Sequence, residues 1–156
     1  MVKATHNGIG VNRLSRKEKK LSDSFKFENE KYQILSCVDE TNPYHSYQLV
    51  TCYFSQGCPL IEAADCLSKV LMYPTMTTII IGDFNFDTSN ESNPISKLLK
   101  SKNLQQIVKW PTHDAGRTLD HCWVSTNAGI QLERYSPYYS DHDALVIKFE
   151  LFPWNK

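Results

Sequence analysis

No stretch of this sequence approaches the roughly 18 consecutive apolar residues that a membrane helix requires, and the opening Met1-Val2-Lys3-Ala4-Thr5-His6 lacks the apolar core of a secretory leader. The expectation is therefore an intracellular protein, nuclear or cytoplasmic, not secreted and without a membrane partner. The five cysteines, Cys37, Cys52, Cys58, Cys66 and Cys122, are odd in number and form no CxxC pair. That argues against both a disulfide framework and a cysteine zinc site, and for a reducing compartment. There is also no net charge, no internal repeat and no low-complexity tract.

What is present suits one folded domain: 156 residues, 41% hydrophobic and 12% aromatic, enough to bury a core. The zero balance hides an asymmetry. Lys3, Arg13, Arg16, Lys17, Lys19 and Lys20 crowd the first 20 residues against a single Glu18, which leaves the remainder acidic. Residues 1–24 read as a basic, partly irregular segment and 25–156 as the main domain. A basic run can pair with phosphates, but no aromatic residue interleaves it to stack on bases, so a solvated loop is the plainer reading.

Local patterning gives a coarse map. A short edge strand is expected around Gly8-Ile9-Gly10-Val11, and β-like texture runs from Phe25 to Val38, with a strand over Tyr32 to Val38. A turn at Glu40-Thr41-Asn42-Pro43 and a strand over Ser46 to Phe54 make an antiparallel hairpin. Leu60, Ile61, Ala64, Leu67, Val70 and Leu71 recur at three- and four-residue spacings, the buried stripe of a helix that ends before Pro74. A second, short helix runs from Pro94 to Ser101, with strands over Thr118–Ser125, Ile130–Tyr135 and Ala144–Leu151. Strands with two interleaved helices predict a layered α/β or α+β sandwich.

Chemistry gathers at three places. The apolar strand Ile79-Ile80-Ile81 runs into Gly82-Asp83-Phe84-Asn85-Phe86-Asp87. Glycine there permits a sharp turn or a close approach, and Asp83 and Asn85, two apart, point to one side of an extended segment. A polar turn is the competing reading, since Gly, Asp and Asn are the common turn residues. Further on, Asp120 lies inside the strand-like Arg117-Thr118-Leu119-Asp120-His121-Cys122-Trp123, where a part-buried carboxylate needs a donor. Ser140-Asp141-His142-Asp143, just before the last strand, offers one: His142 can give a ring N–H to Asp120 and turn its other nitrogen to a substrate. Alternatives stay open: a solvated His–Asp pair, or a zinc site of His113 and His121 with Asp114 and Asp120.

GDFN after an apolar strand, LDH in a later strand and SDH opening the last one, in that order, resemble the endonuclease/exonuclease/phosphatase superfamily, which includes deoxyribonuclease I, the exonuclease III type of apurinic endonuclease and retrotransposon endonucleases. The resemblance runs from about Gly8 to Leu151. It implies a four-layer α/β sandwich and hydrolysis of phosphoester bonds with Mg2+ or Mn2+, ions that carboxylate and carboxamide oxygens suit better than zinc. It implies that Asp83 orients or deprotonates the attacking water, Asn85 contacts phosphate and metal-site oxygens, Asp120 orients His142, His142 contacts the scissile phosphate, and Asp141 lies at the metal. Tyr53, in Leu49 to Gln56, matches a phosphate-contacting tyrosine, although the family's following Pro-Asn is Ser55-Gln56 here.

The stretch Pro111-Thr112-His113 to Asp120-His121 looks most like nucleases of mobile elements, which implies nucleic acid as substrate, DNA ahead of RNA. Arg117 and Trp123 are candidate contacts, against a surface charge and a core ring respectively. The family's opening asparagine and its metal-binding glutamate have no counterpart. The segment Asn7 to Val11 resembles the strand that follows that glutamate, and Glu18, Glu28 and Glu30 are the acids at hand. The expected domain therefore lacks its N-terminal strands. Either another chain or segment supplies them to a nuclease, or the chain is an inactive remnant that binds nucleic acid or protein.

Overall fold

Runs of β-branched and aromatic residues separated by polar turns build a strand-dominated protein. The computed structural model describes residues 2–5, 8–11, 22–39, 46–71, 77–87, 90, 92–125 and 129–149. Most of the basic segment, residues 40–45 with the turn expected at 40–43, and the C-terminal residues from 150 onward lie outside these, so that turn, the phosphate-pairing reading of the basic run and the Glu18 alternative fall outside the described residues. Twelve elements follow in chain order: β1 (Val2–Thr5), β2 (Gly8–Val11), β3 (Ser22–Glu28), β4 (Tyr32–Asp39), β5 (Tyr47–Phe54), α1 (Leu60–Val70), β6 (Thr77–Asp83), α2 (Pro94–Ser101), β7 (Leu104–Gln106), β8 (Asp120–Ser125), β9 (Ile130–Tyr135) and β10 (Ala144–Phe149).

Six strands make one sheet in the order β3-β4-β5-β6-β8-β7. Neighbours are antiparallel except β5 and β6. That parallel pair is joined through α1, as a parallel connection requires a crossover. The β1–β2 and β9–β10 pairs form separate two-stranded antiparallel ribbons.

The sheet has apolar residues on both faces. On one, Ile34, Val50, Phe54, Ile80 and Trp123 pack against Ala63, Leu67 and Val70 of α1 and Ile95 and Leu99 of α2. On the other, Ile79, Cys122 and Val124 meet Ile130, Leu132, Leu145 and Ile147 of the β9–β10 ribbon. Among the described residues the layers are therefore helices, sheet and ribbon.

Two local devices fix the helices. Asn93 accepts the Ile95 N–H at 2.9 Å and Pro94 occupies the first turn of α2, where its missing N–H costs nothing. The buried Gln48 amide donates to the Val70 carbonyl and to Ser36 Oγ, both at 2.9 Å, tying the end of α1 to β4 and β5.

The observed strands match the expected ones within a residue or two, with three additions. The first is β1 and the second is β7. The third is the start of β3 at Ser22 rather than Phe25, which puts it across the 24/25 boundary. Ser22-Asp23-Ser24 has no apolar period because this is the edge of the sheet, paired through the backbone with a register irregularity between Asp23 and Phe25.

Candidate functional site

Strand register brings the polar residues together. Tyr53 of β5 lies opposite Asp83 of β6, and Asp83 lies opposite Asp120 of β8. Directly paired residues share a face, so the three side chains line one row. This row sits beyond the residues that pack under the ribbon, which is why Tyr53 is 36% exposed and the two carboxylates only partly buried.

The turn after Asp83 is built by Gly82 and Asn85. A Cβ at Gly82 would lie 1.8 Å from the Cys52 carbonyl oxygen, so only glycine lets β6 run this close to β5. Asn85 adopts φ +52°, a left-handed conformation that asparagine tolerates. The chain folds back at this point: Asn85 donates from its backbone N (2.9 Å) and from Nδ2 (3.1 Å) to the two oxygens of Asp83. The convergence of Asp83 and Asn85 thus comes from a turn, and not from the extended alternation that the sequence suggested. Between them Phe84 is buried, holding the turn down.

His142 Nδ1 lies 2.8 Å from Asp120 Oδ2, which directs Nε2 to the far side of the ring. The frame for this pair is the turn at residues 112–117. Buried Thr112 accepts the Leu119 and Asp120 N–H groups on Oγ1 (3.1 and 2.9 Å), and its carbonyl takes the Asp143 N–H at 2.7 Å. One residue thereby ties both ends of the His142–Asp120 pair. The neighbouring Asp114 N–H donates to the Asp141 carbonyl at 3.0 Å.

His113 also arrives here. Its ring meets that of His142 edge-on, centroids 4.7 Å apart, and its Nε2 is 3.4 Å from Asp141 Oδ2. Nδ1 accepts the Ala115 N–H at 2.9 Å, so in the neutral ring Nε2 carries the proton that faces Asp141. The sequence weighed His113 only as a zinc ligand, and Thr112 not at all. The one signal for them was their place in the PTHDAGRTLDH stretch.

Burial, reinforced by the charge of Asp120, pushes the Asp83 carboxyl up to about 6, against the Asn85 N–H and the His142 ring. Burial likewise raises Asp120, opposed by hydrogen bonds from His142 and Thr112. For His142, burial alone would lower the pKa. The hydrogen bond to Asp120 and the charges of Asp120, Asp83 and Asp141 outweigh it and hold the imidazole above its usual range. The site therefore favours protonated groups at pH values where exposed carboxylates are ionised.

Other sequence candidates fall elsewhere. His121 alternates with Asp120 on β8 and points into the opposite, helix-side core, where Nε2–H donates to the carbonyls of Phe86 (2.9 Å) and Thr118 (3.1 Å) and Nδ1 accepts from Trp123 Nε1 (3.4 Å). With both nitrogens used, the zinc set of His113 and His121 does not form. Trp123 is buried, a core ring and not a nucleic-acid contact, while Arg117 is exposed at the end of the 112–117 turn. Glu28 lies in the same row as Asp83, through Gln33 and Tyr53, but three strands away, about 14 Å. It pairs there with Lys26 at 2.6 Å and accepts from Gln33 Nε2. Glu30 is exposed at the β3–β4 turn.

Among the described residues, two groups of side chains bring possible ligand atoms within 4.8 Å of one another: Asp83, Asp120 and His142, and His113, Asp141 and His142. The first offers carboxylate oxygens. In the second the protonated Nε2 of His113 makes Asp141 the ligand, and Asp141 is exposed. Hard oxygen donors of this kind fit a magnesium or manganese ion.

The architecture is a mixed α/β fold that resembles a solved structure. An endonuclease/exonuclease/phosphatase family protein from Leptotrichia buccalis C-1013-b superposes on it with a TM-score of 0.54 at 16% sequence identity, covering 76% of this chain and 54% of that one. The chain thus spans about half the length of that structure, and the likeness is one of fold. No protein-family model matches the sequence, and no curated protein matches it.

Proposed function

We propose that the chain carries the catalytic part of a metal-dependent phosphodiester hydrolase of the deoxyribonuclease I-like type, acting on nucleic acid, DNA ahead of RNA. The observation that carries this reading is the 2.8 Å His142–Asp120 pair set beside Asp83 in one strand row. Helices, sheet and ribbon are then three layers of a four-layer sandwich, and the PTHDAGRTLDH stretch belongs to a nuclease of mobile-element type.

Hydrolysis in line requires a positioned water and donors for the oxygens that gain charge. Asp83, with a pKa near neutrality, accepts a proton from the water, and Asn85 holds its carboxylate in place. Asp120 fixes His142 so that Nε2–H of the protonated ring donates to a phosphate oxygen, and Tyr53 contributes its hydroxyl from the next strand. A Mg2+ or Mn2+ ion held at Asp141, beside His142, would supply positive charge for the phosphate.

A second reading, an inactive remnant that binds nucleic acid or protein, is favoured by one observation: Glu28, the described glutamate of that row, is roughly 14 Å from Asp83 and paired with Lys26. Cleavage of supercoiled plasmid by the purified chain, with and without Mg2+ and beside His142→Ala, separates the two. The hydrolase reading expects metal-dependent nicking that falls about 100-fold or more in the variant. Folded protein that nicks no faster than His142→Ala supports the remnant, or a site completed by another chain or segment.

A further inference from the structure

The loop that carries His142 bears a second feature that the hydrolytic reading does not use. Residues 136–143 join β9 to β10, and Tyr138 and Tyr139 stand at its tip, 98% and 76% exposed. Tyrosine rings are large apolar surfaces that folded proteins usually cover at least in part. These two meet each other edge-to-face, centroids 5.2 Å apart and planes at 87°, with their outer faces open to solvent.

Hydrogen bonds fix the loop beneath them. The Ser140 N–H reaches back to the Pro137 carbonyl at 3.4 Å, which puts the two tyrosines at the corners of a β-turn. Ser140 Oγ then accepts the His142 N–H at 3.1 Å. At the base, Asp143 takes Ser136 Oγ at 2.5 Å and Arg134 Nε at 2.7 Å. The rings are therefore held on the same pinned loop as His142, three and four residues away, a span of at most about 14 Å. Residues 136–143 contain no Lys or Arg, so phosphate pairing is not what this tip offers.

We infer that Tyr138 and Tyr139 form a stacking platform for the bases of unpaired nucleic acid, next to the nucleotide whose phosphate meets His142. The inference rests on the proposed function, whose substrate it narrows to single-stranded or splayed nucleic acid. Stacking requires an open π face and a base that is not already paired, and it is indifferent to base identity. Rings set nearly perpendicular cannot clamp one base between them, so each takes its own.

The test is binding of a short fluorescein-labelled oligothymidylate to the full chain in EDTA, where cleavage plays no part. Tyr138→Ala and Tyr139→Ala should each weaken binding by roughly 5- to 150-fold. Tyr→Phe at either position should restore affinity and Tyr→Leu should not, because the ring and not the hydroxyl or the apolar bulk is in contact. The ratio of wild-type to alanine affinity should stay constant from low to high salt, whereas phosphate pairing would shrink it. The same oligothymidylate annealed to its complement should bind more weakly.

Equal affinity of the alanine variants and wild type overturns the inference, as does rescue by leucine, or a wild-type chain that does not bind the oligonucleotide. A change in sedimentation of the alanine variants without a change in affinity overturns it in favour of a contact between two copies of the chain. Retained binding without cleavage counts against the hydrolase reading alone, so the two failures are distinguishable.

Discussion

His121 and His142 follow the same local motif, an aspartate immediately before a histidine, yet they have opposite fates. His142 stands at a loop end, partly open, with one nitrogen on Asp120 and its pKa raised by surrounding carboxylates. His121 stacks on Phe84 with centroids 4.5 Å apart, has both nitrogens engaged, and burial lowers its pKa to about 4. Asp120 and His121 are neighbours in β8, and strand alternation sends one to the site and the other to the core. Residue type does not distinguish a working histidine from a packing one; what distinguishes them is whether the surroundings favour the charged form and leave a nitrogen to spare.

The sharpest way to break this comparison is to alter each histidine in turn. His142→Asn keeps an N–H where Nδ1 stands but has nothing at Nε2. It should lower metal-dependent nicking by about 100-fold or more, while the unfolding free energy from urea titration stays within about 1 kcal/mol of wild type. His121→Ala should do the reverse to stability, costing about 3–5 kcal/mol through a cavity beside Phe84 and unpaired carbonyls at Phe86 and Thr118. A His121→Ala protein as stable as wild type would remove the structural role assigned here.

The pH dependence of stability sharpens the contrast. His121 has a folded pKa of about 4, below the unfolded 6.5, so the unfolded chain binds more protons between these values. Its contribution is complete above pH 6.5 and is lost as pH falls toward 4, about 3 kcal/mol in all. Asp83 runs the other way. Its folded pKa of about 6 exceeds the unfolded 3.8, so its contribution is present below pH 3.8 and is lost as pH rises through 6, by a similar amount. The two offset one another between pH 4 and 6. Urea titrations of Asp83→Asn should therefore show stability rising with pH across that window more steeply than wild type, and an unchanged profile would mean that Asp83 is not perturbed.

The smallest effect expected is Trp123→Phe. It removes the 3.4 Å donor to His121 Nδ1 and the fused second ring of a buried indole, a loss of about 2 kcal/mol. That the variant should cost less than His121→Ala locates the larger share of the stability in the imidazole's own bonds and stacking.

Strand and helix positions were legible in the sequence because they rest on local periods: the branched run at Ile79, the three- and four-residue spacing over Leu60 to Leu71, the Asn93-Pro94 start of α2. The motifs also display the types and order of Asp83, Asn85, Asp120, Asp141 and His142, the residues from which the proposed site is drawn. Gly82 carried its own message, since only a residue without a Cβ permits the approach to Cys52.

What only the tertiary structure decided depends on contacts between distant segments. Register across β5, β6 and β8 set Tyr53, Asp83 and Asp120 in one row, and a slip of a single residue would have put them on opposite faces. The docking of the 112–117 turn on 141–143 made Thr112 the support of the His142–Asp120 pair and brought His113 against Asp141. The same pairing across the sheet leaves Glu28 three strands away from Asp83. Local composition fixes which residues favour a strand, a turn or a cap. It does not fix which strand lies beside which, because that depends on the packing of both sheet faces at once.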